Sequence, residues 1–363
     1  MVSNDHQRFP LKAGISIALL LVAGTSCSKQ KSDDQYNSIS SDVIPKFVPE
    51  KHGLKGQDIA VIINNQDPLS VKIGEYYIQK RNIPPANVIR IGFSHESVTL
   101  QTQEFDKIKT YVDAHTPDHV QAYALTWAKP YRVGCMSITT AFAAGFDRTY
   151  CASGCKPTKL NPYFNSSSNR PYSDFGLRPT MAIAAWNFEE AKKLIDRGLD
   201  ADRSFPQGTA YLVETKDKHR NTRARYFDEA AQYLSEKIKI DYLHSEYITE
   251  KTDILFYFTG RSEVPKLKTN KYLPGAITDH LTSAGGMLTD SKQMSSLRWL
   301  EAGATGSYGS VVEPCNFPSK FPRPDIVINH YLNGEPLIEA YWKSVEMPGQ
   351  GIFIGEPLAS PFL

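Results

Sequence analysis

Residues 58–93, DIAVIINNQDPLSVKIGEYYIQKRNIPPANVIRIGF, hold a complete strand–helix–strand unit. Asp58–Asn64 is a short apolar run rich in Ile and Val, which reads as a buried strand. Asp67 then stands where a helix needs a cap, and Pro68 fits the first helical position, where no backbone donor is required. The helix carries Val71, Ile73, Tyr76 and Tyr77 and ends before Pro84. Asn87–Phe93 is the next strand.

The same alternation extends outward. Gln103–His115 places Phe105, Ile108, Tyr111 and Val112 on one helical face, and Val120–Trp127 is a third strand. Met181–Ala185 reads as a strand. Asn187 with Glu190 forms a capping-box pattern that opens a helix ending at Gly198. Thr209–Val213 and Asp253–Phe258 are strands, with a helix over Tyr226–Ile240 between them. Helices are predicted over Pro274–Ser283 and Ser295–Ala302, a Gly-rich strand over Ala304–Val312, helices over Pro324–Leu332 and Pro336–Val345, and a last strand over Gly351–Ile354. Strands and helices in turn predict an α/β fold: a doubly wound, mostly parallel sheet with helices on both faces. Residues 134–179 interrupt the pattern with cysteines and a run rich in Asn, Ser, Pro and Tyr, and read as an irregular, disulfide-tied insertion. Residues 53–363 are expected to form a single domain.

The N-terminus carries an export signal. Arg8 and Lys12 precede an apolar run, Ala13–Gly24, followed by Thr25, Ser26 and Cys27. A charged start, a short apolar core and small residues before a cleavage point describe a secretory signal peptide. The run falls short of the roughly 20 apolar residues that span a bilayer. Cys27 is the expected lipidation site, with Gly24 a departure from the usual lipobox and ordinary cleavage the alternative. Residues 28–52 are polar and read as a flexible tether. The expected location is the periplasm or cell surface, membrane-anchored through the lipid. Ser28, in place of the Asp that holds many Gram-negative lipoproteins in the inner membrane, points to the outer membrane.

The formal net charge is +2, with both signs interspersed, so composition gives no case for nucleic-acid binding. Of the five cysteines, setting Cys27 aside leaves Cys135, Cys151, Cys155 and Cys315. In an oxidising compartment four cysteines predict two disulfides with three connectivities. Cys151 and Cys155 are close enough in sequence to pair locally, which would leave Cys135 for Cys315. The C-x2-C pairs of a zinc site are missing, as are the phosphate-binding glycine loops and the HExxH and GxSxG motifs. No metal or cofactor is expected.

Ligands of parallel sheets bind beyond the carboxyl ends of the strands. The polar residues there are Asn64, Asn65 and Asp67 after the first strand, Lys129 and Arg132 after the third, Thr259, Arg261 and Glu263 after DILFYF, Glu313 and Cys315 after the Gly-rich strand, and Glu356 after the last. Asn65, Lys129, Arg132, Arg261 and Glu356 are ligand-binding candidates. Asp67, Glu313, Cys315 and His280 are catalytic candidates. Each has a plainer reading: Asp67 as a helix cap, the charges as solvated surface, His280 as a satisfied histidine. Glu313 leaves a buried strand and should carry a specific partner, because burying an unpaired charge costs several kcal/mol. His280 follows Asp279, a carboxylate–histidine pair suited to proton transfer, although neighbours on the predicted helix point about 100° apart.

The phrases LPGAITDHLTSAGG (273–286), WLEAGATGSYGSVVEPC (299–315), LIEAYWKSV (337–345) and GIFIGEPLASPF (351–362) resemble an uncharacterised family of bacterial exported proteins, and residues 64–84 resemble that family's opening. The resemblance implies export and no established activity. A fainter resemblance links ILFYFTG (254–260) and LRWLEAGATGSYG (297–309) to caspase–gingipain–legumain peptidases. Thr259 and Gly260 stand where that class has its His-Gly pair, and residues 285–296 contain no cysteine, so the resemblance implies a shared fold without the dyad. Three readings follow: a ligand-binding or scaffolding lipoprotein, a hydrolase with an unfamiliar site at the strand ends, and a metal- or carbohydrate-binding module using the aromatic-rich insertion.

Overall fold

The computed structural model describes residues 53–152 and 154–363. The predicted signal segment 1–27 with Cys27 and the tether 28–52 lie outside the described residues. In chain order the elements are β1 (Ile59–Asn64), α1 (Pro68–Arg81), β2 (Val88–Ile91), β3 (Thr99–Leu100), α2 (Thr102–His115), β4 (Ala122–Leu125), β5 (Arg132–Val133), β6 (Met136–Ser137), α3 (Ile138–Ala144), α4 (Pro171–Phe175), β7 (Thr180–Ala182), α5 (Phe188–Ala201), β8 (Thr209–Glu214), α6 (Phe227–Leu234), β9 (Lys239–His244), β10 (Ile254–Gly260), β11 (Tyr272–Leu281), α7 (Leu297–Ala302), β12 (Gly306–Ser310), α8 (Pro324–Leu332), α9 (Leu337–Ser344) and β13 (Gly351–Gly355).

Ten strands form one sheet in the order β2-β1-β4-β7-β13-β12-β11-β10-β8-β9, while β3, β5 and β6 form a small second sheet. Every neighbouring pair in the large sheet is parallel except β12 with β13. The sheet is therefore two parallel halves running in opposite directions and joined at one antiparallel seam. Each half is doubly wound, with its first strand (β1 or β8) between its second and third. Successive strand residues point to opposite faces, and every residue of β1, β4, β7, β10, β12 and β13 is buried, so both faces of the sheet are covered. This is the α/β architecture that the sequence predicts.

The helix caps follow the sequence. Asp67 Oδ1 accepts the Leu69 N–H at 2.9 Å and opens α1. Asn187 Oδ1 accepts the Glu190 N–H at 3.0 Å and opens α5.

Three expectations are corrected. Residues 274–283 are not a helix: Tyr272–Leu281 is β11, paired with β10 and β12. Between the Ile254↔Tyr272 and Phe256↔Ile277 pairs, β10 advances two residues and β11 five. Pro274 lies in that bulge, where it owes no ladder hydrogen bond. The segment 134–179 is an irregular, disulfide-tied surface excursion only in part, because α3 inside it is regular and buried along Ile138–Ala143. Its small and apolar side chains (ITTAFAA) fit under the seam, where Thr140 Oγ1 donates to Pro348 O at 2.8 Å. The cysteines pair as Cys135–Cys151 and Cys155–Cys315, not in the local 151–155 pattern.

Candidate functional site

At the seam the carboxyl end of β13 meets the amino end of β12: Gly355 pairs with Gly306, and the Glu356 N–H donates to Thr305 O at 3.0 Å. The residues gathered above as strand carboxyl ends therefore fall into two sets that cannot share one crevice. Asn65, Asp67, Lys129, Arg132 and Glu356 belong to one half, Arg261 and Glu313 to the other.

In the first half most of these side chains serve the fold. Asp67 caps α1. The buried Asn64 knits β1 to the end of β2, donating to Phe93 O at 2.9 Å and accepting the Phe93 N–H at 3.2 Å. Asn65 accepts from Arg90, and Arg132 Nε donates to Thr99 Oγ1 at 2.6 Å. Lys129 begins a cis peptide bond to Pro130. Glu356 is fully buried, and Arg81 grips both of its oxygens, at 2.8 and 2.6 Å.

In the second half Glu313 is exposed, and its Oε1 accepts the Cys315 N–H at 2.8 Å. The buried partner expected of it is absent because the chain leaves the interior before residue 313. The sulfur of Cys315 is bonded to Cys155 and is not a free thiol. Arg261 pairs with Glu246.

His280 is buried with both ring nitrogens engaged. The Trp299 indole N–H reaches its Nδ1 at 2.9 Å, and its Nε2 lies 3.1 Å from Met294 O. An indole nitrogen only donates, so Nδ1 accepts and Nε2 carries the proton to Met294 O. Burial, helped by the nearby Arg223 and Arg220, lowers the His280 pKa to about 3. Asp279 does not contact it: adjacent strand residues face opposite ways, and Asp279 pairs instead with Arg223. The catalytic candidates thus share one hydrogen bond, the turn between Glu313 and Cys315.

The winding of the second half places its switch point between β8 and β10. That crevice is filled by the chain itself. A Cβ on Gly260 would lie 1.9 Å from Arg220 O, so the missing side chain lets the 3-10 segment Asn221–Tyr226 and its entry settle against β10. Beside it stands a polar chain: Asp217 pairs with Arg220 Nη1 at 2.9 Å, Arg220 Nε donates to Thr282 Oγ1 at 3.1 Å, and Thr282 donates to Gln293 Oε1 at 2.7 Å.

The open space lies next to this chain. A cleft of about 810 Å³ runs between the β10–β11 crossover and the segment leading into α7, lined by Trp186, Lys266, Lys268, Thr289, Lys292 and Glu301 among others. Gln293 lines it too, as does Ser262, whose carbonyl accepts the Met294 N–H at 2.9 Å where the two walls meet. Trp186 is 45% exposed, while Trp127, Trp299 and Trp342 are buried. Of the lining residues the sequence reading reached only Glu263, with Arg261 beside it. Its signal was available in the Lys-rich crossover (PKLKTNK, 265–271), but nothing local ties that crossover to Trp186. Among the described residues no group of three or more His, Cys, Asp and Glu side chains is placed to hold a metal ion, and no helix is long and apolar enough to cross a membrane.

No family model matches the chain, and no curated protein is similar to it. A solved structure titled "Structure of Protease" is similar at 11% identity and a TM-score of 0.42, over 85% of this chain and 79% of that one. A likeness of that degree carries no chemistry across, and the site rests on its own geometry.

Proposed function

We propose that this chain is an exported, lipid-anchored protein of the cell envelope that binds a ligand in the cleft beside Trp186. The observation that carries the reading is an open cleft with an exposed tryptophan, next to a switch point whose own crevice is closed by Gly260 and Arg220. Binding suits it better than hydrolysis: His280 has no free nitrogen to act as a base, and the sulfur of Cys315 is bonded to Cys155. Two disulfides support passage to an oxidising compartment.

Two measurements test this. The intact chain, titrated with a panel of small molecules, peptides and esters, should show a change in Trp186 emission that Trp186→Phe abolishes, without turnover. Hydrolysis of any member of the panel would overturn the binding reading. For the anchor, Cys27→Ser should move the protein from the membrane fraction to the soluble one, and unchanged partitioning would refute lipidation.

A further inference from the structure

Three lysines, Lys266, Lys268 and Lys292, are exposed on the lining of the Trp186 cleft, and among the described residues none is in an ion pair. The other cation of the lining, Arg298, is matched by Glu301 at 2.7 Å, and Glu263 is the remaining carboxylate. The lining therefore carries four cations against two anions, a surplus of two positive charges. Cations gathered around a concave, partly dry surface raise the local concentration of anions.

The walls add hydroxyl and amide side chains, among them Ser262, Thr269, Thr289 and Gln293, which both donate and accept hydrogen bonds. Trp186 adds a flat, half-exposed apolar face.

Resting on the reading of this cleft as a ligand site, we propose that its ligand is an acidic carbohydrate, a chain of sugar rings bearing carboxylates. The carboxylates meet Lys266, Lys268 and Lys292, ring hydroxyls meet the polar side chains of Thr269, Thr289 and Gln293, and the apolar face of one ring lies on Trp186. An acidic peptide answers the lysines but offers few hydroxyls to the polar walls and no ring face of this kind to Trp186.

The test is a titration of the intact, detergent-solubilised chain with oligogalacturonate, with a neutral galacto-oligosaccharide of equal length and with oligoglutamate, followed by Trp186 emission and by calorimetry. Oligogalacturonate should bind with a change in Trp186 emission and weaken with added salt. Lys266→Ala with Lys292→Ala should weaken it about tenfold, the scale of two exposed charge pairs. Thr289→Val should weaken it without altering the salt dependence. Equal binding of the neutral sugar, or binding of oligoglutamate alone, would overturn the acidic-carbohydrate assignment while leaving the cleft as a binding site. Calorimetric binding that leaves Trp186 emission unmoved would overturn the cleft itself. No binding of oligogalacturonate at low salt would also overturn the assignment.

Discussion

Arg223 holds Asp279 at 2.5 Å in the interior, with both side chains shielded from water. The guanidinium also donates to Pro322 O and Thr259 O, each at 3.1 Å, so one side chain ties the ends of β10 and β11 to two loops. Burial raises the Asp279 pKa against the pull of Arg223. Removing one member of a buried pair strands the other charge, at a cost of about 3–5 kcal/mol. Arg223→Met should lower unfolding stability by that amount. The double variant Arg223→Met with Asp279→Leu should recover much of it. A double variant no more stable than the single one would show that the loop contacts, and not the charge pair, dominate.

Glu339 makes stability fall as pH rises. It is fully buried, accepts the Leu54 N–H at 2.8 Å and the Tyr163 hydroxyl at 2.7 Å, and lies 4.0 Å from Lys343 Nζ. Burial, only partly opposed by Lys343, pushes its pKa up to about 7. Below the ordinary glutamate value both folded and unfolded chains are protonated there. Between about 4.5 and 7 the folded chain alone keeps the proton, so stability is lost through that window at roughly 1.4 kcal/mol per pH unit. Denaturant melts of Glu339→Gln against wild type from pH 4 to 8 should converge in slope above pH 7 and diverge below it. Parallel profiles throughout would remove Glu339 as the source.

His280 acts in the opposite sense. Its folded pKa of about 3 lies below the ordinary 6.5, so the unfolded chain takes up a proton first as pH falls. Its contribution is complete above pH 6.5 and is lost towards pH 3. Between pH 4.5 and 6.5 the two groups oppose each other, and the wild-type profile should be flatter there than that of either single variant. His280→Gln should make stability fall more steeply with rising pH in that window, and an unchanged slope would count against the buried neutral imidazole.

The disulfides should differ in weight. Cys155–Cys315 spans 160 residues and Cys135–Cys151 spans 16. Loop-closure entropy gives about 3 kcal/mol for the shorter and close to 5 for the longer. Cys155→Ser with Cys315→Ser should therefore lower Tm more than Cys135→Ser with Cys151→Ser. The reverse order would mean that native packing around the insertion outweighs chain entropy.

Much of this fold is legible in the sequence because local rules agree with it. DIAVIIN and DILFYF are dense in residues that fit a doubly covered strand, and Asp67-Pro68 and Asn187/Glu190 mark helix starts that the structure keeps. Where local and tertiary signals part, the reading fails. Asp279 and His280 look too polar for a central strand, and Arg223, Trp299 and Met294, 14 or more residues away, make them tolerable. Edge strand β9 hides behind the end of a helix pattern because its residues are half-exposed. Strand direction leaves no trace in side-chain alternation, so the seam, and with it the split of the strand-end residues into two sets, had no sequence signal. The cleft was invisible for a related reason: Trp186, Lys266 and Lys292 come from three separate crossovers.

Strand β13 is made from residues 351–355 yet stands fifth across ten strands, between β7 and β12. Ribosomes deliver a chain from its first residue, so the keystone of this sheet arrives after the other nine strands. Before it does, β7 and β12 offer bare edges to each other and to any neighbouring chain. A growing chain of this kind cannot lock into its final form early. That timetable makes residues 351–355, rather than the opening strand–helix unit, the point at which the two halves of the sheet become one.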